Sequence, residues 1–264
     1  MDKCSQRTRV LITVMTYPLP SRKSRELICT AGITEAGEWV RLFPIDYRYR
    51  PKTEQFRKYQ WIEIGLTPNA KDHRKESRRP DLDSIVITDK PLSTDHGWRE
   101  RRSIIDQMPV HTRHELERMY DEDHTSLGIV KPVDVVDLKI EPADPDWSPE
   151  RQAILQQMVL FGPPPKPLRK LPYKFSYVFR CEDSVEPHSA MIEDWELGTL
   201  FLKEAARLGS DEAAAQSVKR KFLNEMCSRD KDTRFFMGTV HRYNSWVVIG
   251  VFWPPKVPQM GLDL

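Results

Sequence analysis

Ten cationic and aromatic residues crowd a span of twenty-one positions: Arg41, Phe43, Tyr47, Arg48, Tyr49, Arg50, Arg57, Lys58, Tyr59 and Trp61. Cations displace counterions from phosphates, and aromatic faces stack on unpaired bases, so this mixture suits a nucleic-acid surface. The plainer reading makes the aromatics core and the arginines a solvated rim. A second basic stretch, Lys71-Asp72-His73-Arg74-Lys75-Glu76-Ser77-Arg78-Arg79, places five cations within nine residues. Arg74, Lys75, Arg78 and Arg79 would clamp a phosphate backbone if the stretch is a flexible loop, and Arg22, Lys23 and Arg25 would add to the same surface. Interleaved acids blunt that field.

Carboxylates and imidazoles supply the other candidate chemistry. His188 follows the acidic run Cys181-Glu182-Asp183-Ser184-Val185-Glu186-Pro187, and Asp194 and Glu196 flank Trp195. Two carboxylates one residue apart, near an imidazole, are a candidate centre for acid–base work or for holding a divalent ion. With His241 converging from a hairpin, His188, Asp194 and Glu196 would form the polar centre of a metal-dependent phosphodiesterase or nuclease. Against this, acids in a first helical turn are favoured by the helix dipole alone, and no strand carries a Glu-x-Lys pair. His111, His114, Glu115, Glu117 and His124 form a further cluster whose spacing matches neither zinc-protease pattern. They read as exposed helix histidines. No Cys-x-x-Cys pair is present, nor a Walker A loop, a Gly-x-Gly-x-x-Gly fingerprint or a Gly-x-Ser-x-Gly elbow. The sequence names no cofactor.

The elements that must position these groups follow from periodicity. Val10–Val14, Leu27–Ala31, Glu38–Phe43, Trp61–Leu66 and Ile85–Thr88 have the β-branched or alternating character of strands, with Pro and Gly punctuating them. Five short strands at close spacing predict a small barrel or curled sheet. The polar span from Asn69 to Asp83 reads as an exposed, mobile loop between the last two. Residues 96–124 predict two helical pieces divided at Pro109, and Val133–Ile140 a strand. Eight prolines between Glu141 and Pro172 mark a linker, with Pro163-Pro164-Pro165 expected in polyproline II form. Beyond it, Tyr173–Phe179 reads as a strand. The span 192–208 is a helix closed by Gly209, and Ser210 caps a second helix. Phe235–Met237 and Trp246–Phe252 are strands of a hairpin.

These signals predict an α+β protein. Residues 1–142 form a basic, barrel-like sheet with a helical insertion, 143–171 a Pro-rich linker, and 172–264 a strand-helix-helix-strand-strand unit. Either half could be a version of a barrel with helical insertions. The formal net charge of +2 conceals a strong asymmetry. Residues 1–80 carry 17 Lys and Arg against 9 Asp and Glu, residues 81–150 carry 8 against 17, and the remainder carries 16 against 13. Such a division suits a polyanion-facing side or two segments that dock on each other. The absence of a signal peptide, of a spanning apolar run and of paired cysteines points to a cytoplasmic chain with no membrane partner.

Several stretches resemble a family of uncharacterised bacterial proteins. They are Lys174-Phe175-Ser176-Tyr177, the Cys181–His188 run, Asp194-Trp195-Glu196, Phe235-Phe236-Met237-Gly238-Thr239 and Ile249-Gly250-Val251-Phe252-Trp253-Pro254-Pro255. Thr16-Tyr17-Pro18 and Arg41-Leu42-Phe43-Pro44 belong to the same resemblance, which implies no established activity. From the residues themselves the first expectation is nucleic-acid binding, DNA or RNA, non-catalytic or as an accessory to an enzyme, through the basic and aromatic N-terminal surface. The phosphodiesterase centre and a protein-interaction module using the acidic middle and Pro163–Pro167 are the alternatives.

Overall fold

The computed structural model describes residues 6–22, 25–156, 166–240 and 245–257. Its first sheet contains β1 (Gln6–Met15), β2 (Leu19–Ser21), β3 (Arg25–Thr34), β4 (Trp39–Ile45), β5 (Gln60–Pro68) and β6 (Ser77–Ile87). β1 pairs with both β3 and β5, β3 with β4, β4 in parallel with β6, and β6 with β5. That circuit closes a five-strand barrel, with β2 an extra arm on β3. The run Val10–Val14 is apolar on both faces for a reason. Val10 and Ile12 line the barrel with Ile28, Leu42, Ile62 and Ile64, whereas Val14, beyond a bulge, faces outward into a second core.

The chain then forms α1 (Asp95–Ile105), β7 (Val110–His111) and α2 (Arg113–Asp123). Thr112 caps α2 in a reciprocal capping box with Glu115. β8 (Leu127–Val130) turns a corner into β9 (Asp134–Pro142), and α3 (Pro149–Gln156), β10 (Tyr173–Arg180) and β11 (His188–Met191) follow. After α4 (Trp195–Leu208) and α5 (Asp211–Lys219), the hairpin of β12 (Arg234–Val240) and β13 (Ser245–Phe252) ends the fold. β9 pairs with β10, β10 with β11, β13 with β12 and β12 with β8, while Ile192, just past β11, bridges Val248 in parallel.

With β8 and β9 taken as one bent first strand, both circuits have the order first-second-third-fifth-fourth-first, with a parallel contact between third and fifth. This is the Greek-key topology of the oligonucleotide/oligosaccharide-binding (OB) barrel. In the second copy α4 and α5 fill the space between third and fourth strands. In the first, Phe56 does so after two short 3-10 turns.

The α+β class holds, and the N-terminal strands fall where their patterns place them. The strand around 133–140, expected in the first part, is instead the opening strand of the second barrel, and the Pro-rich span joins that barrel's first and second strands. Pro163–Pro165 lie outside the described residues. The span Asn69–Asp83 is no free loop: β6 begins at Ser77, and Arg74, Glu76 and Ser77 are buried. Charged residues that would leave a loop in water here find partners on the second barrel. The two barrels share a core in which Ala31, Ile33 and Trp39 of the first meet Leu127, Phe236 and Ile249 of the second.

Gly32 shows how tightly the first barrel closes. A Cβ there would lie 2.4 Å from the Leu11 carbonyl oxygen and 2.5 Å from Val10 Cγ1. Neither strand can retreat without breaking its pairing, so Gly32→Ala is expected to destabilise the protein by about 2–3 kcal/mol in urea unfolding.

Candidate functional site

Two of the sequence's candidate sets meet at the junction of the barrels. Asp194 ends the connection from β11, and its carboxylate caps α4 by accepting the Glu196 N–H at 2.8 Å. Lys58, two residues before β5, reaches across so that its Nζ lies 3.2 Å from Asp194 Oδ2 and 2.7 Å from Glu196 Oε2. Lys58 and Asp194 are buried, while the Glu196 side chain is 54% exposed. Burial opposes the Lys58 charge, but Asp194 and Glu196 outweigh it and raise its pKa. Burial pushes the Asp194 carboxyl up against the pull of Lys58, whereas Lys58 holds Glu196 down.

Beside this ion triplet Tyr59 adopts the left-handed backbone region at φ +61°, strained for an aromatic residue, with its ring under the Arg101 guanidinium at 4.0 Å. Its buried hydroxyl has no hydrogen-bond partner among the described residues. Metal-assisted hydrolysis at Asp194 and Glu196 would need both carboxylates on a divalent cation, and the Lys58 ammonium fills that place. The arrangement clamps the barrels together. His188 belongs elsewhere: its ring faces His114 and Phe179. His241 lies outside the described residues.

The predicted phosphate-binding residues divide sharply. Arg41 is buried and donates from Nη2 to Ser126 O at 3.0 Å. Arg74 is buried between Asp72 and the Thr239 carbonyl. Arg50 is held by Glu54 and Asp46. These three guanidinium groups, with Lys58, neutralise internal acceptors instead of facing a ligand. Tyr59 is core, Trp61 is half-buried under Arg9, Lys75 pairs with Asp123, and Arg78 donates to the Lys75 and Ser77 carbonyls. Arg22, Arg57 and Arg79 are exposed. Lys23 and the Arg25 side chain fall outside the described residues. Nor is the outer face of β3 and β4 an open groove, because the second barrel covers it.

A different surface gathers cations from several connections. The connection between first and second strands of the first barrel, which carries β2, and its β4–β5 connection, which carries Arg48 and Tyr49, meet residues 166–169 of the first-to-second connection of the other. The Tyr17 hydroxyl donates to Arg169 O at 2.7 Å, Arg48 Nη2 to Pro167 O at 2.7 Å, and the Lys166 N–H to the Tyr49 hydroxyl at 3.0 Å. Lys166 Nζ donates to the Arg48 carbonyl oxygen and lies 5.4 Å from the Tyr49 ring centroid, and Arg22 sits in the β2–β3 turn. Arg22, Lys166 and Arg169 are exposed, and Arg48 and Tyr49 half-buried. Glu26 balances Arg48 at 2.8 Å and Asp211 balances Arg169 at 2.5 Å, leaving a cationic excess around two tyrosines. Sequence reading marked Arg22, Arg48 and Tyr49 but missed Lys166 and Arg169. No local signal could place them there, since they join the cluster from over a hundred residues away.

The fold and this junction define a protein of two interlocked OB-topology barrels. The chain belongs to the family described as a domain of unknown function (DUF8757), whose model matches residues 109–264, while a second domain of unknown function (DUF8758) matches residues 6–107. The division between them falls between α1 and β7. No curated protein matches the chain at a significant level. Among solved structures it is similar to the p204 HINb domain, at 10% identity and a TM-score of 0.32 over 97% of this chain and 100% of that one. A replication protein A heterotrimer bound to ssDNA matches at 9% identity and a TM-score of 0.28, over 97% of this chain and 67% of that one. Neither likeness bears on what this chain binds. No described helix is long and apolar enough to cross a membrane.

Proposed function

We propose that the protein binds single-stranded nucleic acid across the surface where the first-to-second-strand connections of the two barrels meet the β4–β5 connection. The observation that carries this reading is the gathering of Arg48, Lys166 and Arg169 around Tyr17 and Tyr49, with the exposed Arg22 on the same connection as Tyr17. OB barrels take oligonucleotides with this same connection, a fold-level analogy that by itself leaves function open. The side chains add the chemistry: the exposed Arg22, Lys166 and Arg169 for phosphates and the half-buried Tyr17 and Tyr49 rings for base stacking. The expected contact surface thus shifts from the basic span Arg41–Trp61 as a whole to its Arg48–Tyr49 corner.

Fluorescence anisotropy with labelled single-stranded DNA and RNA tests the reading. Binding is expected at low salt and to weaken steeply as salt rises. Lys166→Glu with Arg169→Glu is expected to lower affinity at least tenfold and to flatten the salt slope by about 2, one per lost phosphate contact. Arg79→Glu, exposed on β6, is the control and should change little. No binding at low salt overturns the proposal. An equal loss from Arg79→Glu would mean diffuse charge attraction and no defined surface.

A further inference from the structure

His114, on α2, and Asp183 and His188, around the β10–β11 turn, come from segments some seventy residues apart and meet at one end of the second barrel. One ligand atom from each lies within 4.8 Å of the other two. His114 Nδ1 stands 3.4 Å from Asp183 Oδ2, and the two imidazoles approach edge to face with centroids 4.9 Å apart. His188 Nε2 is buried with no hydrogen-bond partner, an imbalance that a buried polar atom rarely sustains. From this convergence we propose a binding site for a divalent transition-metal ion of the zinc class, ligated by His114, Asp183 and His188.

The donor set fits that class. Two imidazole nitrogens and one carboxylate oxygen suit borderline-soft ions such as Zn²⁺ or Co²⁺, whereas Mg²⁺ and Ca²⁺ prefer all-oxygen sites. Three protein ligands leave one or more positions for water or an incoming donor. The present separations exceed those between ligands of a bound ion, and side-chain rotation of the exposed His114 and Asp183 would close them. Arg113 would repel a cation, but its guanidinium is taken up by Glu117 at 2.6 Å. An ion here would fasten α2, which leads from β7 into β8, to the β10–β11 turn. The site is independent of the surface proposed for nucleic acid.

The test uses the untagged full chain, stripped with chelator and dialysed. Isothermal titration with Zn²⁺, with Co²⁺ visible absorption as a second readout, is expected to give one equivalent bound and tetrahedral or five-coordinate Co²⁺ bands. His114→Ala and Asp183→Asn change exposed residues, so folding should be kept, and circular dichroism verifies it. Each is expected to weaken binding at least tenfold, as is His188→Ala. His111→Ala, on the neighbouring strand, and His73→Ala, in the separate histidine pair with His124, should leave it unchanged. Less than half an equivalent bound, or unchanged affinity in His114→Ala and Asp183→Asn, overturns the site. Loss on His73→Ala instead would assign the binding to that other pair and equally overturn it.

Discussion

Glu76→Ala is expected to destabilise the protein by about 3–5 kcal/mol, more than most single substitutions. The Glu76 carboxylate, buried at the barrel junction, accepts the Ser126 N–H at 3.0 Å, the Ser126 hydroxyl at 2.7 Å and the Leu127 N–H at 3.3 Å. Ser126 is itself fully buried, and its carbonyl accepts from Arg41 and from the Thr239 N–H. Truncating Glu76 therefore strands two backbone donors and a hydroxyl in a dry interface. It also leaves the Arg41 guanidinium without a nearby anion, and each loss carries its own desolvation penalty. Guanidinium denaturation followed by circular dichroism and by tryptophan fluorescence reads the result. Trp39 reports on the interface itself, where it packs edge-on against Phe236. In the native protein the two probes should coincide in one transition, because the barrels share a core. A change below 1 kcal/mol would mean that Glu76 belongs to a mobile loop, as its sequence neighbourhood suggested.

That neighbourhood shows where sequence stops being legible. The strands of the first barrel were readable because each is a local pattern: β-branched runs such as Val10–Val14, closed by proline or glycine. The caps of α4 and α5 were equally plain, since Gly209 and Ser210 act on their immediate neighbours. The fate of a charge is not local. Lys71–Arg79 has the composition of a solvated loop, and nothing within it reveals that Ser126 and Thr239 wait across the junction to receive Glu76 and Arg74. β8 and β11, at four residues each, were too short for a periodicity to be read, and without them the second barrel was invisible as a barrel. The same limit shaped the candidate site. Lys58 stood among the phosphate-binding residues and Asp194 and Glu196 among the catalytic ones, so their pairing joined two separate lists. His114 and His188 were each noted beside acids, but their meeting depends on how α2 returns to the β10–β11 turn.

The ion triplet allows the second large effect to be worked through to its pH dependence. Lys58→Met removes the only ammonium that contacts Asp194 among the described residues and strands a buried carboxylate, an expected loss of about 3–5 kcal/mol at neutral pH. Asp194→Asn keeps an oxygen to cap α4 and leaves Lys58 its contact with the partly exposed Glu196, so a smaller loss, about 1–2 kcal/mol, is expected. The double variant should be less destabilised than the sum of the two, because neither stranded charge remains. The sign of the pH response separates this account from simple loss of packing. Lys58 holds its proton more tightly in the folded state, so its contribution is whole below the ordinary value of 10.5 and is lost as the pH rises through the folded value above it. Asp194 is the opposite case. Its carboxyl is raised by burial, so the folded state favours the protonated form, and stability falls as the pH climbs from the ordinary 3.8 through the raised value. Without Lys58 that rise is larger, and Lys58→Met should be more stable at about pH 4.5 than at about pH 7, with the difference abolished when Asp194→Asn is added. Urea unfolding of the single and double variants at both pH values decides it. A Lys58→Met protein whose stability loss is the same at both would show that Asp194 is not the buried charge that the ammonium holds in place.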